Sequence, residues 1–476
     1  MHTHLSTWLA VSASLWPAAT AFYPYQYNGG STTTSSRRNA KLPRTSSGSI
    51  TLPLRRVPRQ QNTYNIVNSK DPSQKNSVAV DQDGSDLSYM VAVTIGDSKE
   101  EYHLLLDSAA SNTWVMGQDC KSDACGTHTT FGKGDSSSLK TQSTPFSVTY
   151  GTGSVSGTLA TDTLHIGSLS PTVSFGLATN VSDEFKSYPM DGILGIGQGD
   201  TVSGGAQIMT SLLSAQLISS KIYGIHLSRS RDGLADGELN LGAANKARYA
   251  GDLNWLDCVP NDTGFWEISV ADASVDGKNI GLAGKKAIMD TGTSYILMPP
   301  ADALALHSKI AGYAQDGETF SVPCDTASAL AFVFGPQSYN ISTADWVGGK
   351  LASGLCQSKI VGRQTFNESQ WLVGDVFLKN VYSVFDFEKN RVGLGLPPTE
   401  GEESSSSSIA SSTATSTAAA GKSSAAASAT QTAAVEGSPD PSSSAVAESQ
   451  GQKSDSPLVT APLVLVIGAV IISLFI

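Results

Sequence analysis

Charge is scarce in this chain of 476 residues: Asp, Glu, Lys and Arg together make up 15 %. That is too little for a charged disordered chain or a coiled coil, and the 45 glycines argue the same way. Basic residues are the scarcer sign. There are 31 against 42 acidic ones, a formal net charge of −11, which speaks against nucleic acid as a partner. Cysteine is limited to five, no pair has CxxC spacing, and no cluster of histidines sits beside any of them. A thiolate metal site is thereby disfavoured, and no metal or other cofactor is expected. Length alone implies two or more folded units.

The few charges are unevenly placed. Between Phe22 and Lys75 stand nine Lys/Arg and one acid, Asp71; after Lys75, 22 basic residues face 41 acidic ones, a net charge of −19. A basic leader on an acidic body reads as a propeptide over 22–75, held partly by charge and released as carboxylates protonate. A basic disordered tail is the plain alternative. Arg37-Arg38 and Arg55-Arg56 are candidate processing sites, and the mature N-terminus is expected between Val57 and Leu87. Residues 1–21 read as a secretory signal: Leu5 to Leu15 is a short apolar core and Ala19-Thr20-Ala21 a small-x-small cleavage site, although no Lys or Arg precedes them.

Cysteine spacing fits an oxidising compartment. Cys120 and Cys125 are close enough to close a small loop, Cys324 and Cys356 enclose a longer one, and Cys258 is the odd residue. Four N-x-S/T sequons, at Asn180, Asn261, Asn340 and Asn367, are candidate N-glycosylation sites on a secretory route.

At the other end, Ser, Thr and Ala supply 35 of the residues from 401 to 455. Such a segment cannot bury a core and reads as an extended stalk. Residues 456–476 are apolar, with no charge after Asp455. A hydrophobic tail behind a polar spacer is the pattern of a GPI-attachment signal, with the attachment residue between Ser442 and Gly451; a bare transmembrane anchor is the alternative.

From about Leu87 to Pro398 the texture is different. Short runs such as YMVAVTIG, EYHLLLD and TVSFGLAT alternate with Gly, Asp and Ser at strand-and-turn spacing. The region is expected to be all-β, with helical segments near Ala206–Gln216 and Ala301–Ala311. Within it, LLLDSAAS around Asp107 and AIMDTGTS around Asp290 share one pattern: an apolar run, Asp, a hydroxyl residue, small residues. Each is followed by two large apolar residues and Gly, in DGILGIG and WLVGDVFL. Asp107 to Gly195 spans 88 positions and Asp290 to Gly374 spans 84. A single such motif is an ordinary turn. Two, in the same order at nearly the same spacing, point to two homologous lobes. Two carboxylates brought face to face cannot both ionise, so the pair shares a proton; one member can then act as base on a water while the other donates to a carbonyl.

These blocks, with DSAASNTWV, VTYGTGSVSG and GFWEISV, resemble the pepsin-like aspartic endopeptidases over about 85–398. The stalk and tail are similar to those of the fungal GPI-anchored, yapsin-like and cathepsin D-like subgroup. The resemblance implies a bilobal fold, an N-lobe at about 85–255 and a C-lobe at about 256–398, with a cleft between them. Asp107 and Asp290 match the catalytic pair. Tyr150 matches the tyrosine of a flap hairpin, with Gly151, Thr152 and Gly153 at its bend; a strand aromatic is the bland reading. Trp114 matches a tryptophan that hydrogen-bonds that tyrosine, and a core tryptophan is its bland reading. Gly292 and Thr293 would line the cleft, and Ser108 and Thr291 would support it. Cys120–Cys125 and Cys324–Cys356 match two family disulfides; the middle pair of some members is missing, which leaves Cys258 unexplained.

The first motif departs from the family's Asp-Thr-Gly-Ser. Ser108 keeps the hydroxyl. Ala109 in place of Gly is tolerable only at negative φ. Ala110 removes a hydroxyl donor to the carboxylate, which should bias the shared proton towards Asp107. The reading implied is a secreted, GPI-anchored monomer at the outer face of the plasma membrane or in the wall. It would cleave extended polypeptides in acid and be inhibited by its own propeptide. The alternative is a binding or wall protein on the same scaffold whose catalysis is impaired.

Overall fold

The computed structural model describes residues 64–398. The expected signal peptide, the expected leader up to residue 63, the expected stalk and the hydrophobic tail lie outside the described residues. Within them the chain is mostly β-strand with a few short helices, Ile208–Ser214 and Pro300–His307 being the two longest. No helix among the described residues is long and apolar enough to cross a membrane.

The internal repeat is visible in the sheets. In the N-terminal half Tyr89–Ile95 runs antiparallel to Tyr102–Asp107, which is parallel to Gly192–Gly195. Gly192–Gly195 is antiparallel to Trp114–Met116, itself parallel to Thr172–Val181. In the C-terminal half Glu267–Val270, Lys285–Met289, Gln370–Val373, Ile296–Met298 and Ile360–Gly362 follow with the same four pairings in the same polarity. The motif strand and its apolar-apolar-Gly partner are thus adjacent and parallel in both halves. Such strands are covered on both faces, which is why they read as continuous apolar runs. Leu104 and Leu106 enter one core while Leu105 enters another, beside Trp114 and Tyr150.

Both partner strands end in glycine for a steric reason. A side chain at Gly195 would meet the Asn112 carbonyl at 2.5 Å, and one at Gly374 would meet the Thr293 carbonyl at 1.9 Å. The backbone after each aspartate passes directly over these positions.

A six-stranded sheet draws on both halves, in the order Ser77–Ala79, Glu238–Leu241, Ile222–His226, Tyr382–Asp386, Arg391–Leu396, Ala250–Asp257. Ordered structure begins earlier than the strand-rich texture suggests. Val67 and Gln82 exchange backbone bonds, Ser69 binds Asp81 Oδ1 and the Val80 carbonyl, and the Lys70 N–H donates to Ala235 O. Cys120 is bonded to Cys125 and Cys324 to Cys356. Cys258 is free and buried, and burial pushes its thiol up to about 12.

Candidate active site

Asp107 ends its strand and Asp290 directly follows the equivalent one, so the sheets deliver both carboxyl groups to one point. Both residues are fully buried. The turns after them are cross-linked between the halves. Ser108 Oγ donates to Met289 O at 2.9 Å and accepts the Thr291 N–H at 3.0 Å. Thr291 Oγ1 donates to Leu106 O at 2.7 Å and accepts the Ser108 N–H at 3.0 Å. Four reciprocal bonds between buried groups hold the pair in register, and each is costly to break because its partner would be left without water.

The carboxylates are held asymmetrically. Asp107 Oδ1 accepts N–H groups of Ala109 and Ala110 at 2.9 and 2.7 Å, while its buried Oδ2 has no donor among the described residues. Asp290 Oδ1 accepts the Gly292 N–H at 2.8 Å, and Oδ2 accepts the Thr293 hydroxyl at 2.5 Å. Burial, and then the charge of Asp290, hold Asp107 well above the ordinary carboxylate range, against the pull of its two N–H bonds. Burial also raises Asp290, but the Thr293 hydroxyl and the Gly292 N–H oppose it. These influences together favour one shared proton on the Asp107 side of the pair. Gly292 packs directly on the partner: a Cβ there would lie 2.6 Å from the Asp107 carboxyl. Ala109 takes the mirror position without positive φ, so its methyl is free of backbone strain.

Over this point, the strands Lys140–Thr149 and Ser154–His165 form a hairpin whose turn is Tyr150-Gly151-Thr152-Gly153. The Tyr150 N–H donates to Gly153 O at 2.7 Å. Trp114 Nε1 donates to the Tyr150 hydroxyl at 2.8 Å, and both side chains are buried. Among the sequons, Asn180, Asn340 and Asn367 are exposed, far in sequence from the dyad; Asn261 spends its amide on the Val259 and Phe265 carbonyls.

Two participants carry no signal in the sequence. Phe185, fully buried, lies edge-on to Trp114 at 5.6 Å and to Tyr150 at 6.3 Å. Asp375, one residue past Gly374, donates its N–H to Thr293 O, while both carboxyl oxygens are buried with no donor among the described residues. Burial holds it well above the carboxylate range, against the pull of Lys379, which favours the neutral form. No cluster of three or more His, Cys, Asp or Glu suited to a metal occurs among the described residues.

Residues 88–396 match the family described as eukaryotic aspartyl protease. A protein of Arthroderma benhamiae named probable aspartic-type endopeptidase CTSD is 43 % identical over 73 % of this chain and 69 % of its own. The aspartic-type endopeptidase ctsD of Aspergillus fumigatus is 39 % identical over 82 % of this chain and 86 % of its own. Pepsin A of Sus scrofa is 32 % identical over 65 % of this chain and 81 % of its own. Two homologous halves, each carrying an aspartate at the end of an equivalent strand and linked by reciprocal bonds, agree with that match: the chain belongs to the eukaryotic aspartyl protease family.

Proposed function

We propose that this protein is a secreted, surface-anchored acid endopeptidase that hydrolyses peptide bonds through a water activated by Asp107 and Asp290. The observation that carries the reading is the fully buried pair Asp107 and Asp290, each at the end of an equivalent strand and cross-linked through Ser108 and Thr291; in this reading Asp107 is the acid and Asp290 the base. As a water attacks the scissile carbonyl carbon, Asp290 takes its proton and Asp107 gives its own to the carbonyl oxygen. The resulting gem-diol collapses: a diol proton returns to Asp107, Asp290 protonates the leaving nitrogen, and the C–N bond breaks. Both aspartates end as they began, with no covalent intermediate. Tyr150 to Gly153 close over an extended peptide, whose backbone would bond the hairpin turn, while Gly292 and Thr293 line the floor. Ser108, Thr291 and Trp114 hold these groups in place.

The test is hydrolysis of a denatured protein near pH 4, with and without a pepstatin-type inhibitor, in wild type and Asp290→Asn. Inhibitor-sensitive cleavage lost in the variant is expected; no such cleavage between pH 3 and 7 would favour a binding protein on this scaffold. The signal-like start, the Ser/Thr/Ala segment and the apolar tail support a GPI-anchored, yapsin-like placement at the cell surface. Release of activity from intact cells by a phosphatidylinositol-specific phospholipase checks it, and retention after that treatment contradicts it. The basic leader supports an inhibitory propeptide, with maturation faster below about pH 5 as acidic groups lose charge.

A further inference from the structure

Behind the seat of the hairpin, His128 follows the short helix Asp123–Thr127. Each of its ring nitrogens meets a backbone carbonyl at 2.7 Å: Nδ1 faces Ala124 O and Nε2 faces Tyr188 O. Neutral imidazole has one N–H and one lone pair, and a lone pair held that close to a carbonyl oxygen is repelled. Only the imidazolium, with an N–H on both nitrogens, satisfies both contacts. The Thr127 hydroxyl, 3.1 Å from Nδ1, can rotate to suit either form.

Two further features frame the ring. Tyr64 stacks on it at 5.2 Å between centroids, and its hydroxyl donates to Lys186 O. Asp191 lies nearby, and burial holds its carboxyl above the ordinary carboxylate range. Its oxygens accept the Thr129 and His103 N–H groups, and His128 is among the influences drawing its carboxyl down against burial. The other ionisable groups around the clamp are Tyr188, with Glu184 acting on it, His103 on the far side of Asp191, and Lys186, paired with Asp123 and Asp183 at 3.1 and 3.3 Å.

What the clamp grips leads to the hairpin. Tyr188 caps the short helix Asp183–Ser187 by donating its N–H to Phe185 O. Phe185 is the ring on which Trp114 and Tyr150 both rest. The carbonyl bound by His128 therefore stands three residues from the aromatic floor of the flap's seat.

We propose that charged His128 is a positioning residue that seats the flap tyrosine by clamping Tyr188 O to Ala124 O. The inference rests on Tyr150 acting as the flap residue in the reading above. The flap's grip on substrate thus depends on two backbone carbonyls held together behind it, away from the dyad.

The test is kcat and KM at pH 4 on a peptide substrate for wild type, His128→Phe and His128→Arg, with Tm for each. His128→Phe loses both donors. Its deficit, carried mainly in KM, is expected to be about tenfold, the loss of roughly one hydrogen bond. His128→Arg keeps charge and several donors and should match wild type within about threefold. No deficit in His128→Phe, a deficit carried in kcat alone, or a His128→Arg as impaired as His128→Phe overturns the proposal. If His128→Phe does not fold, the KM of His128→Arg decides alone. Failure of the underlying reading shows differently: the wild type then lacks inhibitor-sensitive cleavage, or Asp290→Asn retains it.

Discussion

Ala110→Ser is the sharpest probe of the dyad. Ala110 mirrors Thr293, whose hydroxyl bonds Asp290 Oδ2 at 2.5 Å, while Asp107 Oδ2 has no donor among the described residues. The backbone is already in place, because the Ala110 N–H reaches Asp107 Oδ1 at 2.7 Å; only the hydroxyl is missing. A hydrogen bond to a charged group contributes about 1.5–3 kcal/mol, and one pKa unit corresponds to about 1.4 kcal/mol. The added hydroxyl should thus lower the pKa for losing the pair's last proton by about 1–2 units. As Asp107 ionises more readily, the proton moves partly to Asp290, which holds the shift near the lower figure. The sign follows from which proton is lost. Alkaline inactivation removes the proton on Asp107, and a donor stabilises the resulting anion, so the alkaline limb moves to lower pH. The acid limb, set by protonation of Asp290 while Asp107 is neutral, stays. Measuring kcat/KM against pH with a peptide lacking ionisable side chains reads both limbs. An alkaline limb that does not move, or that moves to higher pH, refutes the assignment of the shared proton to Asp107.

Three other perturbations have defined outcomes. Ser108→Ala strips a donor from Met289 O and an acceptor from the Thr291 N–H, costing roughly 2–5 kcal/mol of stability; calorimetry should show a lower Tm, restored by Ser108→Thr, and an unchanged Tm would show the lattice to be dispensable. Asp375 has a raised folded pKa, so folding stability is full below the unfolded value and falls as pH rises towards the folded one, at about 1.4 kcal/mol per unit of displacement. Asp375→Asn should therefore be close to wild type at pH 4 and more stable at pH 7, whereas parallel Tm-against-pH curves would contradict a neutral Asp375. His307, buried, stacked on Phe320 and bonded to Ala303 O, is lowered to about 4 by burial, so stability is lost as pH falls from about 6.5 to 4, by about 3 kcal/mol in all. His307→Gln should lower Tm at pH 7 yet narrow that deficit at pH 4; a deficit that widens in acid would show that His307 is charged in the fold.

How much of this is legible in the chain depends on whether a feature is repeated. Asp107 is a weak motif alone and becomes readable because Asp290 repeats its setting at nearly the same spacing. The glycines Gly195 and Gly374 are readable with it, since the backbone after each aspartate leaves no room for a side chain. The parallel pairing of Leu104 with Gly192 joins residues 88 apart, and no local pattern encodes it. Phe185, Asp375 and His128 gain their places from tertiary packing: each is an ordinary residue in an ordinary string until another segment closes over it. The chain from Tyr64 to Lys75 reads as part of the leader, and the strand-rich texture starts only near Leu87, because the Asn, Ser and Asp of this stretch are turn formers. Those same short polar groups are what bind it to the body, through Ser69 to Asp81 and through the backbone of Val67. Ala109 could not be judged from sequence at all, because the answer lay in its φ.

The shared six-stranded sheet sets the order in which the molecule can be made. Its strand at Ile222–His226 needs Tyr382–Asp386 beside it, and Ala250–Asp257 needs Arg391–Leu396. During synthesis the first half can close its own eight-stranded sheet, yet Ile222–His226 then presents one unpaired edge until some 160 further residues have been made. Such late, long-range closure is slow and exposes a strand edge to wrong partners. The two carboxyl groups meet only when that closure is complete, so a half-made chain holds no assembled dyad while it waits.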